Sequence, residues 1–193
     1  MRGPLLVACA VLVAIGARAQ PVAALRAARR VAADSLLEFR LHDQFGQVHD
    51  AAAYRGRTLI LVGAGRGGRD AGTAWVEHLR AVQDSGGGAD TLQAVPVVAV
   101  ADLRGVPRLL RRLVRGRFPD DRRRAVLLDW DGALARRFGF DTERCTLLVV
   151  GPSVRAHART TTMAVDTTLA RTLLREAAQL TTATAAGGSG AGR

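Results

Sequence analysis

Thr58-Leu-Ile-Leu-Val62 is a continuous apolar run that stops at Gly63-Ala-Gly65-Arg66-Gly67-Gly68-Arg69. Beyond the glycines, Trp75, Leu79 and Val82 recur at helical spacing. An unbroken apolar run bounded by glycine reads as a strand buried on both faces, and such a strand needs a sheet with helices on either side. Strand, glycine loop and helix together therefore constrain the fold more than any other feature of the chain. Gly63, Gly65 and Gly68 also spell G-x-G-x-x-G, the pattern of a dinucleotide-binding turn. Two requirements of that reading are not met. The fingerprint belongs on the first strand of its domain, and here a strand pair comes before it. An acidic residue should end the next strand about twenty residues on. Asp84 has the spacing but lies in a polar turn, and Asp102 ends a strand too far along.

The rest of the chain alternates in the same way. Leu37–Leu41 reads as a short strand, the Gly46 turn leads to a second one, and Tyr54-Arg-Gly56-Arg57 turns into the Thr58–Val62 strand. A helix is expected over Ala71–Gln83, ended by Asp84-Ser-Gly-Gly-Gly88, and a buried strand over Val95–Ala101. Val106–Arg115 predicts an amphipathic helix. Its Leu109, Leu110, Leu113 and Val114 should face inward, and Arg108, Arg111, Arg112 and Arg115 outward. A strand at Ala125–Leu128 precedes the Asp131-Gly132 turn and a short helix reaching Phe138-Gly139-Phe140. Thr146–Val150 and Val154–Arg159 form a hairpin around Gly151-Pro152-Ser153. Asp166 caps a last helix with Leu169, Leu173 and Leu174 inward. From Thr181 the Thr, Ala, Gly and Ser composition predicts a disordered tail over 181–193. These units imply a mixed sheet with helices on both faces.

The N-terminus sets the context. Arg2 is followed by an apolar run, Leu5–Ile15, and by Ala17-Arg18-Ala19, so residues 1–19 read as a secretory signal peptide cleaved after Ala19. The run is short for a membrane span, and no transmembrane segment is expected in the mature chain. Leu6-Val7-Ala8-Cys9 is similar to a lipoprotein processing box, but the apolar stretch before Cys9 is short and the run continues past it. Residues 20–36 read as a helical or mobile lead-in. The expected protein is exported, periplasmic or extracellular, and keeps one cysteine, Cys145, with no internal disulfide. The formal net charge is +11, carried by 28 basic residues that are all arginine. They are spread along the chain without a zinc-finger, RNA-binding or helix-turn-helix signature, which argues for solvated surface charge rather than nucleic-acid binding.

Three groups of residues carry a family resemblance. Phe39-x-Leu41-x-Asp43-x-x-Gly46 followed by Tyr54-Arg-Gly56-Arg57 and the apolar strand resembles the opening of thioredoxin-like redoxins, which include the thiol-specific antioxidant proteins and the exported thiol-disulfide reductases. Val126-Leu-Leu-Asp129-Trp-Asp131-Gly132 through Phe140 is similar to that family's central strand, turn and aromatic-glycine-apolar segment. Thr146–Val154 resembles its terminal hairpin. The order holds over residues 37–180, which implies a thioredoxin-like α/β domain. The resemblance places the chemistry in the loop after Thr58–Val62, where a cysteine at the start of the next helix has its thiolate stabilised by backbone N–H groups and the helix dipole. The positions matching the two cysteines are Gly67 and Asp70. Dithiol exchange and the peroxide-reducing nucleophile are therefore not expected.

Two features could still act there. Cys145 precedes the Thr146 strand, beside the position where many thioredoxin-like proteins carry a cis-proline, so the resemblance implies that it faces the loop. Arg144, Arg66 and Arg69 would then depress its pKa and allow one-thiol chemistry with peroxide or a mixed disulfide; the alternative is a small, buried, inert residue. Gly63, Gly65, Gly67 and Gly68, with Arg66 and Arg69, could form an anion, nucleotide or partner site at the helix start, or simply a tight turn with solvated arginines. His42, His49, His78 and His157 show no metal-ligand spacing, and neither metal nor cofactor is expected. The leading expectation is a binding or accessory module for a protein or peptide partner. One-thiol redox chemistry at Cys145 is the second reading, and anion or nucleotide binding at Gly63–Gly68 is the third.

Overall fold

The computed structural model describes residues 38–85 and 94–187; the expected signal peptide, lead-in and glycine turn at 86–88 lie outside them. Seven strands form one mixed sheet: β1 (Arg40–Asp43), β2 (Val48–Asp50), β3 (Leu59–Ala64), β4 (Val97–Asp102), β5 (Val126–Asp129), β6 (Cys145–Val150) and β7 (Ala156–Thr162), in the order β2-β1-β5-β4-β3-β6-β7. β3, β4 and β5 run parallel, while β6 is antiparallel to β3 and β1 is antiparallel to β5. Three α-helices lie in the connections between strands, α1 (Arg69–Ser85), α2 (Arg111–Arg115) and α3 (Ala133–Phe138), and α4 (Thr167–Gly187) follows β7.

Side chains alternate across the central strands, because successive strand residues point to opposite faces. Leu59 and Leu61 of β3 join Leu148 and Val150 of β6 and Leu134, Ala135 and Phe138 of α3 in one core. Ile60 and Val62 join Leu147, Val149 and Cys145 with Trp75 and Leu79 of α1 and Leu173, Leu174 and Ala177 of α4 in the other. The apolar run is continuous because β3 lies mid-sheet and is covered on both faces. The fold class is the expected one: a mixed sheet with helices on both faces.

Several boundaries move for identifiable reasons. β3 continues through Gly63 to Ala64, since β4 and β6 pair with it to its end. β7 starts later and runs through Thr160–Thr162, which are paired with Leu147, Thr146 and Cys145 of β6; three β-branched residues in a row suit an edge strand. Val154, in the hairpin before it, has a positive φ of 59°. The expected disordered tail is corrected in part. α4 runs to Gly187, where alanine favours helix and the Thr181 hydroxyl lies 2.9 Å from that of Thr58.

The segment after β4 departs most from expectation. In place of one inward-facing helix there is a 3-10 turn, Arg108–Leu110, and then the five-residue α2. Leu109, Leu110 and Leu113 are 95%, 47% and 61% exposed, and no residue of Arg108–Arg115 enters either core. The leucines are outward because Arg111 faces inward instead: its guanidinium stacks 5.1 Å over the Trp130 ring and reaches the Asp131 carboxylate at 3.4 Å.

Asp129 ends β5 fully inside the protein and holds the chain reversal that follows. Its two carboxylate oxygens accept the Ala133 and Ala135 N–H groups at 3.0 and 2.9 Å, fixing the first turn of α3, while Gly132 takes a left-handed φ of 63° between them. Burial, reinforced by the neighbouring Asp102 carboxylate, raises the Asp129 pKa against the opposing effect of these N–H groups. Asp129→Ala leaves the buried Ala135 N–H and the partly buried Ala133 N–H without their acceptor and is expected to cost about 2–4 kcal/mol in denaturant-unfolding stability.

Candidate functional site

The C-terminal ends of the parallel strands β3, β4 and β5 lie at one edge of the sheet, together with the start of the antiparallel β6. The glycine loop, the Asp102-Leu103-Arg104 turn, the Trp130-Asp131 turn and residues 140–144 therefore share one rim. This is the edge on which the sequence places the chemistry.

The glycine loop is occupied by the chain itself. A β-carbon added at Gly63 would collide with the Phe140 ring, one at Gly65 would stand 3.1 Å from the Thr142 backbone, one at Gly67 would strike the Glu143 carboxylate, and one at Gly68 would meet the Arg144 backbone. Gly72, one turn into α1, lets Ala64 approach to 2.8 Å from where its own β-carbon would be. The Gly67 N–H donates to the Thr142 carbonyl at 3.0 Å. The glycines thus admit the Phe140–Arg144 segment, and they answer the close approach that their spacing implied. Asp141 shapes that segment by accepting the Glu143 and Arg144 N–H groups at 2.8 and 3.1 Å. This closure is what sequence reasoning missed; its signal was the match between four loop glycines and a five-residue segment after Phe138-Gly139.

Arg66, Gly67, Arg69 and Asp70 remain exposed on the rim, whereas Gly63, Gly65 and Gly68 are buried. The expected anion site has one of its N–H groups committed to Thr142 and a carboxylate, Glu143, set over Gly67, which disfavours an anion there.

Cys145 does not face the open loop. It pairs with Ala64 at the first step of β6, and its side chain lies in the α1–α4 core with Trp75 and Val62. It is 0% exposed, and burial alone pushes its thiol up to about 12. The expected depression by Arg144, Arg66 and Arg69 is thereby corrected: desolvation of the thiolate in an apolar core controls this residue. Asp129 does not pair with Asp131. It lies in register with Asp102 on β4, and Asp102 binds Arg104 at 2.7 Å. His49 binds the buried Asp43 carboxylate at 3.0 Å, and His78 contacts Thr167. Among the described residues no group of three or more His, Cys, Asp or Glu could hold a metal ion, and no helix is long and apolar enough to cross a membrane.

No family model matches the chain, and no curated protein matches it. Solved structures do. The exposed lipoprotein thioredoxin Etrx1 from Streptococcus pneumoniae superposes with a TM-score of 0.55 at 14% identity, covering 72% of this chain and 99% of its own. The fold is thioredoxin-like. A thiol:disulfide interchange protein described as a DsbE from Chlorobium tepidum gives 0.54 at 16% identity over 76% of this chain and 96% of its own. A DsbF homologue from Corynebacterium diphtheriae gives 0.51 at 15% identity over 73% and 85%. At these identities the likeness is one of fold. On the thioredoxin-like framework the loop after β3 is the rim loop that opens α1, and Gly67 and Asp70 stand just before and just inside that helix.

Gly63→Leu is expected to lower unfolding stability by about 1–3 kcal/mol through collision with Phe140, and a second substitution, Phe140→Ala, should recover part of that loss in a double-mutant cycle. Alkylation of Cys145 in the folded protein should be slow and nearly flat between about pH 6 and 9, becoming rapid once denaturant exposes it.

Proposed function

We propose that this chain is an exported thioredoxin-fold accessory module that works without dithiol exchange, by holding a protein or peptide partner at its rim. The observation that carries the reading is the pair of residues in the nucleophile positions. Gly67 and Asp70 supply no thiol, and the single cysteine among the described residues is sealed in the core. A thiol held near 12 is protonated at neutral pH, and a protonated, inaccessible thiol is neither a nucleophile nor a peroxide reductant. This speaks against one-thiol chemistry at Cys145. The closed glycine loop speaks likewise against a nucleotide in the G-x-G-x-x-G turn, whose glycines are in contact with Phe140–Arg144.

Contact chemistry remains at the rim. Arg66 and Arg69 stand exposed beside Glu143 and Arg144, and together they present donors and one acceptor to a polypeptide. Export is supported by the signal-peptide pattern of residues 1–19 and by neighbours that include an exposed lipoprotein and a SCO1/SenC family lipoprotein from Bacillus anthracis.

The test is an insulin-reduction assay with dithiothreitol. The native chain is expected to add nothing to the background rate. Gly67→Cys combined with Asp70→Cys rebuilds two thiols at the start of α1, and the Glu143 side chain can swing aside to admit the first. That variant is expected to accelerate reduction. Catalysis by the native chain, abolished by Cys145→Ser, would instead establish one-thiol chemistry and overturn the proposal.

A further inference from the structure

Residues 104–124 carry nine arginines against two aspartates, Asp120 and Asp121. Three of the arginines are held within the protein: Arg104 by Asp102, Arg111 by Asp131 and Trp130, and Arg124 by Glu77. Arg108, Arg112, Arg115 and Arg117 are exposed, with no ion pair to any described residue. Leu109, Leu110 and Leu113, interspersed with them in the sequence, are 95%, 47% and 61% exposed. Of the eight residues Arg108–Arg115 only Arg111 and Val114 are half-buried, so Leu109, Leu110 and Leu113 share the solvent-facing side with Arg108, Arg112 and Arg115.

The geometry points to an anionic lipid bilayer as the occupant of this surface: Leu109, Leu110 and Leu113 enter the acyl boundary, and Arg108, Arg112, Arg115 and Arg117 bind headgroup phosphates. The charges exclude the nearer alternatives. A second copy would bring like arginines together. The segments outside the described residues cannot neutralise the patch either: 1–37 holds five arginines and one aspartate, 86–93 a single aspartate, and 188–193 one arginine. The negative charge must come from another molecule. A protein partner would need a shape-complementary interface of roughly 1,200–2,000 Å², whereas the element offers three convex leucines on eight residues. A fluid bilayer adapts to convex side chains, and small basic amphipathic elements bind it through buried apolar area plus attraction to anionic lipid. Guanidinium groups suit phosphate oxygens by their forked geometry. This inference is independent of the rim's redox state.

The experiment is flotation of the chain beginning at Gln20, which lacks the Leu5–Ile15 run, with vesicles of phosphatidylcholine alone or mixed equally with phosphatidylglycerol. Binding to the mixed vesicles only, reversed by raising salt from about 0.05 to 0.5 M, is expected. Leu109→Ser with Leu113→Ser, and separately Arg112→Glu with Arg115→Glu, should each weaken it at least about tenfold. These side chains lie outside both cores, so the melting temperature should hold and serve as the folding control. A Leu109→Trp variant should show a blue-shifted emission on the mixed vesicles. Absence of binding to anionic vesicles would overturn the proposal and leave an acidic protein as occupant. Binding that survives the double leucine substitution would also overturn it, as adhesion of a basic surface at large.

Discussion

The contact between Gly63 and the Phe140 ring is the constraint on which the rim depends. β3 is an interior strand of the sheet, and a side chain at position 63 would hold the ring off the strand. With hydrogen alone at that position, Phe140 packs into the core beneath α3 and draws Asp141–Arg144 across the glycine loop. The loop, the start of α1 and the entry to β6 then become one packed unit. Interiors of this density have no continuous freedom to adjust, so the geometry of the rim is set by what Phe140 touches.

Burial and charge are sorted differently on the two sides of that unit. Inward lie carboxylates with designated donors: Asp129 under α3, Asp102 against Arg104, and Asp43 holding the Phe45 and Gln47 N–H groups together with His49. Burial pushes the Asp43 carboxyl up, but the His49 contact and the backbone donors prevail and its pKa is lowered. Outward lie guanidinium groups, most without a carboxylate beside them. The buried acids serve as internal fasteners for turns, while Arg108, Arg112, Arg115 and Arg117 are left for the surroundings.

Most of the fold was legible because its signals are local and periodic. The continuous run at Thr58–Val62, the helical spacing of Trp75, Leu79 and Val82, and the aspartate-glycine turn at Asp131 each determine their own element. What was not legible depends on contacts between distant segments. The turn of Leu109 and Leu113 toward solvent follows from Arg111 stacking on Trp130, nineteen residues away and carrying no periodic mark. The persistence of α4 beyond Leu180 follows in part from Thr58, on the far side of the chain. For the site, the missing thiols at 67 and 70 could be read directly from the sequence. The direction in which Cys145 points could not, because strand alternation sends it to one face or the other according to a register that only pairing with Ala64 fixes.

Under the proposed export to an oxidising compartment, the placement of Cys145 has a consequence. An unpaired cysteine there is a hazard: it can capture foreign thiols, link two copies covalently, or divert the oxidative folding of its neighbours. Enclosed between β6, α1 and α4, the sulfur meets no oxidant while the protein stays folded. The same enclosure makes the thiol a recorder of unfolding, since any trapped adduct at this sulfur marks a molecule whose core has opened at least once.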